Sequence, residues 1–159
     1  GTEVLMKAEN DHGAMRQDFY GGWPGDAKNA FTGEGLNPDE AEALAFVHEL
    51  ADLRKAHPVI GTGALRQWAP YNDVYAYAWS NDEEVLLVMV NRNANPQYFG
   101  LYRMLDGLNT LDGPQVLFET KPLEGYPQTR GLQDIVDLGQ YRIASNGLTI
   151  LRFLKQKTN

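Results

Sequence analysis

Apolar and polar positions change their rhythm twice along this chain. From Gly1 to Leu36 neither a helical nor a strand period is visible, and Gly13, Gly21, Gly22, Gly25, Gly33 and Gly35 are scattered among Asp and Asn. Glycine supplies backbone conformations that other residues avoid, so this stretch predicts a long loop. Loops of that length in compact domains carry function or join domains. Phe19, Tyr20, Trp23 and Phe31 argue against a floppy linker, whose composition is poor in aromatics. At its very start the apolar run Val4-Leu5-Met6 reads as the end of a strand.

Asn37 to His57 follows a helical period. Leu44, Val47, Leu50 and Ala51 recur at helical spacing, and Phe46 and Leu53 widen the apolar face. Asn37 is placed to cap, Pro38 suits the first helical position and Glu40 completes a capping box. Arg54, Lys55 and His57 suit the negative end of the helix dipole, and Pro58 stops the helix. The breadth of the apolar face predicts burial against a sheet.

After Gly61 the period shortens to that of strands. β-type runs occur at Ala64–Ala69, Val74–Ser80, Val85–Asn91, Gln115–Thr120, Ile135–Leu138 and Leu148–Leu154. Tyr98 to Leu108 reads as a strand running into one helical turn. Asn72-Asp73, Asn81-Asp82, Asn93-Ala94-Asn95-Pro96, Asp112-Gly113-Pro114 and Asn146-Gly147 supply the turns. Val85–Val90 is apolar on both faces and belongs in the middle of a sheet. Short strands at this spacing predict an antiparallel sandwich. The fold class is therefore mainly β: a C-terminal antiparallel β-sandwich over residues 61–159, preceded over residues 1–60 by a loop and the helix 38–57. A helix with no sheet of its own ahead of an all-β module fits the last loop and helix of a (β/α)8 barrel.

Composition narrows the chemistry. The 159 residues carry a net charge of −7, which disfavours nucleic acid and anionic membrane surfaces but is indifferent to a neutral sugar. There is no cysteine, which rules out disulfides and thiolate metal sites. No apolar run is long enough to span a bilayer. The chain opens without an initiator methionine, and its N-terminus reads as internal.

The most distinctive text is Asp11-His12-Gly13-Ala14-Met15-Arg16-Gln17-Asp18-Phe19-Tyr20-Gly21-Gly22-Trp23-Pro24-Gly25-Asp26, followed by Asn29-Ala30-Phe31. This run resembles the loop after the last barrel strand in cyclomaltodextrinase- and neopullulanase-like members of the α-amylase family of glycoside hydrolases. Gly1-Thr2-Glu3 is similar to the end of that strand. The likeness continues through Arg54-Lys55, His57-Pro58-Val59-Ile60, Val74-Tyr75-Ala76-Tyr77 and Val88-Met89-Val90-Asn91-Arg92-Asn93. Tyr20 stands where the family usually has proline. The resemblance implies a parent that hydrolyses α-1,4-glucosidic bonds with retention, using two carboxyl groups about 5–5.5 Å apart. In family members these groups and a further aspartate lie on earlier strands, the last in an Asn-His-Asp motif that is missing here. No catalytic residue is expected in this chain. Its expected partners are the catalytic barrel of the parent and, through it, α-glucan.

Each remaining candidate has a functional and a structural reading. In the loop, Trp23 and Phe19 could stack on a glucose ring while His12, Arg16 and Asp18 bond its hydroxyls. Alternatively, Arg16 pairs with Asp18 to shape the loop and Phe19, Trp23 and Phe31 pack beneath it. The oxygens of Asp11, Asp18, Asp26 and Asn29 raise calcium for the parent, but their spacing matches no EF-hand and turn closure by Asp26 and Asn29 is preferred. No metal or cofactor is expected here. Asp39-Glu40 and Asp82-Glu83-Glu84 are read as solvated. Tyr75, Tyr77 and Trp79 share one strand face and are assigned to the core, whereas Trp68 and Tyr71 are the candidates for surface sugar contact. Two alternatives stand beside the fragment reading. One is a stand-alone carbohydrate-binding module built on Trp68 and Tyr71. The other is a structural domain that dimerises through the orphaned helix face. The compartment stays open between cytoplasm and periplasm or secretion, the latter following only from the resemblance.

Overall fold

A computed structural model describes residues 1–8, 11–13, 15–101, 111–120 and 140–156. The chain divides into two compact units, Gly1–Ala56 and His57–Asn159.

The first unit is a turn-rich loop leading into helix α1 (Pro38–Ala56). The cap forms as its residues dictate. Asn37 Oδ1 accepts from the Glu40 amide at 3.0 Å, and Glu40 Oε2 accepts from the Asn37 amide at 2.9 Å. Two orphan donors of the first turn are thereby satisfied. Arg54 and Lys55 lie in the last turn, where cations meet the negative helix end. The strand end expected at Val4–Met6 is replaced by a 3₁₀ turn over Thr2–Val4. The amides of Val4 and Met6 both donate to the Gly1 carbonyl, at 3.2 and 2.9 Å. A strand needs a neighbour to take its backbone groups; these groups bond locally instead, and Leu5 adopts a left-handed conformation to allow it.

In the second unit a kinked turn, α2 (Val59–Thr62), leads into β1 (Ala64–Tyr71), β2 (Val74–Ser80), β3 (Glu84–Asn91), β4 (Gln97–Gly100), β5 (Leu111–Glu119), β6 (Gln140–Ile143) and β7 (Leu148–Lys155). Among the described residues all pairings are antiparallel: a five-stranded sheet in the order β1-β2-β3-β7-β5 and a two-stranded sheet of β4 and β6. The β1–β2 hairpin closes over Asn72-Asp73, both at positive φ (49° and 60°), the primed-turn geometry that matches strand twist. Asn81 Oδ1 accepts from the Glu83 and Glu84 amides to turn β2 into β3. Strand β3 sits centrally, as its unbroken apolar run implies, with Val85 to Met89 buried on both faces. The Ile135–Leu138 run, and the turn expected to follow Tyr98 through Leu108, lie outside the described residues apart from β4 and Leu101.

The two sheets share one core. Val74, Ala76 and Ala78 of β2, Val85, Leu87 and Met89 of β3, and Leu151 and Phe153 of β7 meet Tyr141 and Ile143 of β6, with Trp68 packed partly against them. Burial of each large apolar side chain is worth about 1.5–3 kcal/mol. The assignment of Tyr75, Tyr77 and Trp79 to this core is corrected. They occupy the opposite face of β2 and are half-buried, while the alternating Val74, Ala76 and Ala78 face inward. The inward positions are small because Tyr141, Phe153 and Trp68 already fill the space between the sheets. On the outward face the Tyr75 hydroxyl donates to Gln67 Oε1.

Candidate functional site

The loop of the first unit is held by its own side chains. Asp26 Oδ2 accepts from the Gly21 and Trp23 amides at 3.0 and 3.1 Å, and Asn29 Oδ1 accepts from the Phe31 and Thr32 amides at 2.9 and 3.1 Å. These oxygens are spent on turns. Gly35 has φ of 72°, and a Cβ there would lie 2.2 Å from the Ala27 carbonyl, so only glycine lets the two segments approach. Phe19 and Phe31 meet edge to face at 5.6 Å, yet Phe31 stays largely exposed, so its packing is one-sided.

Lys28 ties the loop to the helix. Its ammonium bonds Glu40 Oε1 at 2.6 Å and lies 5.1 Å from the centre of the Tyr20 ring. The bond from Lys28, followed by the one from the Asn37 amide, holds the Glu40 carboxyl below its ordinary range; the same contact raises Lys28. Glu40 is therefore buried and paired, which corrects its reading as a solvated carboxylate.

Trp23 is 64% exposed and lines a cleft of about 250 Å³ with Pro24, Asp26, Lys28, Asn29 and Glu34. His12, Arg16 and Asp18 are exposed, and among the described residues no ion pair joins Arg16 to Asp18. The pairing that the structural reading required does not form. Among the described residues no group of three or more His, Asp or Glu side chains gathers as a metal site would need.

Among the described residues Glu84, in the second unit, is the other buried carboxylate. Arg152 Nε donates to its Oε2 at 2.6 Å, and His57 Nδ1 lies 3.5 Å from the same oxygen. It too is buried and paired rather than solvated. Tyr141 donates to Glu119 Oε1 at 3.3 Å, and burial, reinforced by that carboxylate, pushes its hydroxyl well above the usual tyrosine range. Burial and the nearby Tyr75 likewise raise Tyr77.

Trp68 and Tyr71 part company. Trp68 packs partly against the core with Arg66 5.0 Å over its ring, whereas Tyr71 is 74% exposed. Tyr71 pairs with Val74 in register and so belongs to the core side of the sheet. Across the sheet lies an open cleft of about 540 Å³ lined by Pro70, Asp73, Tyr75, Val90 and Arg92. Sequence reasoning missed it because its walls come from a turn and three strands. The usable signal was that Tyr75 and Val90 are register partners.

Comparison with known proteins agrees with this architecture. The model of the family described as the cyclo-malto-dextrinase C-terminal domain matches residues 65–117. A cyclomaltodextrin glucanotransferase from Thermoanaerobacterium thermosulfurigenes is 40% identical over 65 residues, which is 40% of this chain and 9% of that protein. Among solved structures, the trehalulose synthase MutB of Pseudomonas mesoacidophila MX-45 superposes with a TM-score of 0.51 at 24% identity, covering 76% of this chain and 21% of the synthase. The trehalose-6-phosphate hydrolase TreA of Bacillus licheniformis gives 0.53 at 21% identity, over 75% and 19%. At those identities the structures show a shared fold, and the chain spans only about a fifth of their length. Residues 65–117 are thus similar to the cyclo-malto-dextrinase C-terminal domain family, and the chain shares the fold of the corresponding part of these longer enzymes.

Proposed function

We propose that the chain belongs to an enzyme that hydrolyses α-1,4-linked glucan, either maltodextrin or cyclomaltodextrin. In this reading residues 1–60 complete the catalytic (β/α)8 barrel and the β-sandwich buttresses it. One observation carries the argument. The N-terminus of helix α1 is capped, yet Phe46 and Val47 in its middle are 37% and 39% exposed. A well-formed helix whose apolar side chains stay partly exposed favours a covering surface, and the last helix of a barrel has one.

The loop before α1 then stands at the mouth of the barrel, where loops after the strands build active sites. Trp23 would stack on a glucose ring, with His12, Arg16 and Asp18 within reach of its hydroxyls. Hydrolysis itself is assigned to carboxylates elsewhere in the parent; the buried Glu40 and Glu84 are committed to ion pairs. Calcium, if the parent binds it, would need ligands beyond Asp26 and Asn29, whose oxygens close turns.

The test compares this chain alone with a longer chain that carries it behind a barrel. Maltoheptaose and a cyclomaltodextrin serve as substrates. Products should form only with the longer chain, and Phe46→Asp should lower its melting temperature and yield. Sugar release by the isolated chain overturns the division of labour. Concentration-dependent dimerisation of the longer chain that Phe46→Asp abolishes, with stability unchanged, would instead assign the helix face to self-association.

A further inference from the structure

We propose that the cleft between the β1–β2 turn and the end of β3 is a surface site for a neutral α-glucan chain, separate from the loop that carries Trp23. The choice of glucan rests on the function proposed above; the site itself rests on its own geometry.

Its volume of about 540 Å³ falls within the range of about 300–1,000 Å³ typical of small-ligand sites. The cleft is open, so a polymer can lie across it without threading an end. Tyr75 offers a half-buried ring on a rigid strand, braced by Tyr77 at 5.5 Å and by the hydroxyl bond to Gln67. The C–H face of a pyranose carries partial positive charge and meets the negative face of such a ring. Val90 supplies an apolar floor.

The polar groups are placed for hydroxyls. The Arg92 guanidinium makes no ion pair or hydrogen bond among the described residues, while its backbone amide is fixed on the Asp73 carbonyl at 2.9 Å. Asp73 Oδ2 accepts from Asn93 Nδ2 at 3.2 Å, and its other oxygen makes no hydrogen bond among the described residues. A fork of donors and a free acceptor beside an aromatic ring can bracket a vicinal diol, with bonds strengthened by charge. The net charge of −7 disfavours an anionic polymer but costs a neutral one nothing. Asp73 sits at φ of 60° in a tight turn, so its carboxylate is presented without backbone freedom.

The experiment titrates the 159-residue chain with maltoheptaose and, as a control, cellohexaose, following backbone amides by NMR and affinity by calorimetry. Saturable shifts should cluster at residues 73–75 and 90–92 with maltoheptaose. Arg92→Gln should weaken binding about tenfold, the effect of losing one charge-assisted hydrogen bond. Asp73→Asn, which tolerates the same turn, should weaken it less. Tyr75→Leu should weaken it at least as much as Arg92→Gln, and the two polar variants carry the test if Tyr75→Leu folds poorly. Tyr98→Ala, which removes an exposed ring on β4, should leave affinity unchanged. Absence of saturable shifts, shifts confined to residues 12–23, an equal response to cellohexaose, or indifference to Arg92→Gln overturns the site. So does a loss of stability in the barrel-bearing chain on Arg92→Gln with no effect on maltoheptaose, which would make the cleft a barrel contact. If the barrel-bearing chain cleaves no α-glucan, the proposed function fails; variant-sensitive maltoheptaose binding would still establish the cleft.

Discussion

Asn91 is 1% exposed, and its side chain makes three hydrogen bonds at the end of β3. Its Nδ2 donates to the Ala144 carbonyl at 2.8 Å and to the Asn95 carbonyl at 3.1 Å, and its Oδ1 accepts from the Asn93 amide at 2.9 Å. One side chain thus pins the loop after β3 and the residues after β6. Replacing it with leucine, close to it in volume, removes all three bonds. Asn95 is exposed, so its carbonyl regains water; the Ala144 carbonyl belongs to a buried residue and is left bare. A net loss of about 1 kcal/mol per bond, plus about 1–3 kcal/mol for an unsatisfied buried group and less the gain from a more apolar side chain, gives about 2–4 kcal/mol. For a domain of this size that lowers the melting temperature by roughly 10–25 °C. Urea unfolding followed by circular dichroism measures it directly. Asn91→Asp sharpens the argument, because an ionised aspartate would point acceptors at two carbonyls. Burial there raises the aspartate pKa above its unfolded value of about 3.9, so the native state holds the proton longer. Its penalty should therefore be smallest below that value and grow as pH rises through the folded pKa. A shift of Asn91→Leu smaller than about 0.5 kcal/mol, or a pH-independent Asn91→Asp, refutes the reasoning.

Three further outcomes follow from other contacts. Glu84→Ala, which strips Arg152 and His57 of their shared acceptor, should cost about 1.5–3 kcal/mol by urea midpoint, towards the lower end because Arg152 is 31% exposed. Leu87→Ala, at a fully buried position of the shared core, should cost about 2–5 kcal/mol in the same assay. The Lys28–Glu40 pair should shape the pH dependence of the first unit. With Glu40 depressed below 4.5, its contribution is fully present above that value and lost as pH falls through the folded pKa; with Lys28 raised above 10.5, its contribution is lost as pH climbs through the folded pKa. Lys28→Met should flatten both ends, as read by amide exchange over residues 28–41.

Local chemistry was legible where a few adjacent residues decide the outcome. The Asn37–Glu40 capping box, the Asn72-Asp73 hairpin turn and the central placement of β3 follow from short-range pattern alone. What needed distant partners was not legible. Period-two alternation placed Tyr75, Tyr77 and Trp79 on one face without saying which face looks inward. That depends on Tyr141 and Phe153, some seventy residues away, filling the space opposite Ala76 and Ala78. Strand β6 escaped notice because four residues carry too little period to see. Val4–Met6 looked like strand because apolar composition does not reveal where backbone groups will bond. In the loop, Asp26 and Asn29 were correctly read as turn closers, whereas Arg16 and Asp18 were wrongly paired by proximity in sequence.

The order β1-β2-β3-β7-β5 sets the timing of assembly. Glu84 of β3 is partnered by Leu154 of β7, and β5 is attached to the sheet through β7 as well. On a ribosome, β1, β2 and β3 can zip together as a meander while β5 waits, with no strand yet to hold it. Only when the segment near Lys155 emerges does the middle of the sheet exist, so folding of this unit is late and close to all-or-none. Until then the apolar edge of β3 is bare, and the growing chain is most exposed to mispairing in the interval between its third strand and its seventh.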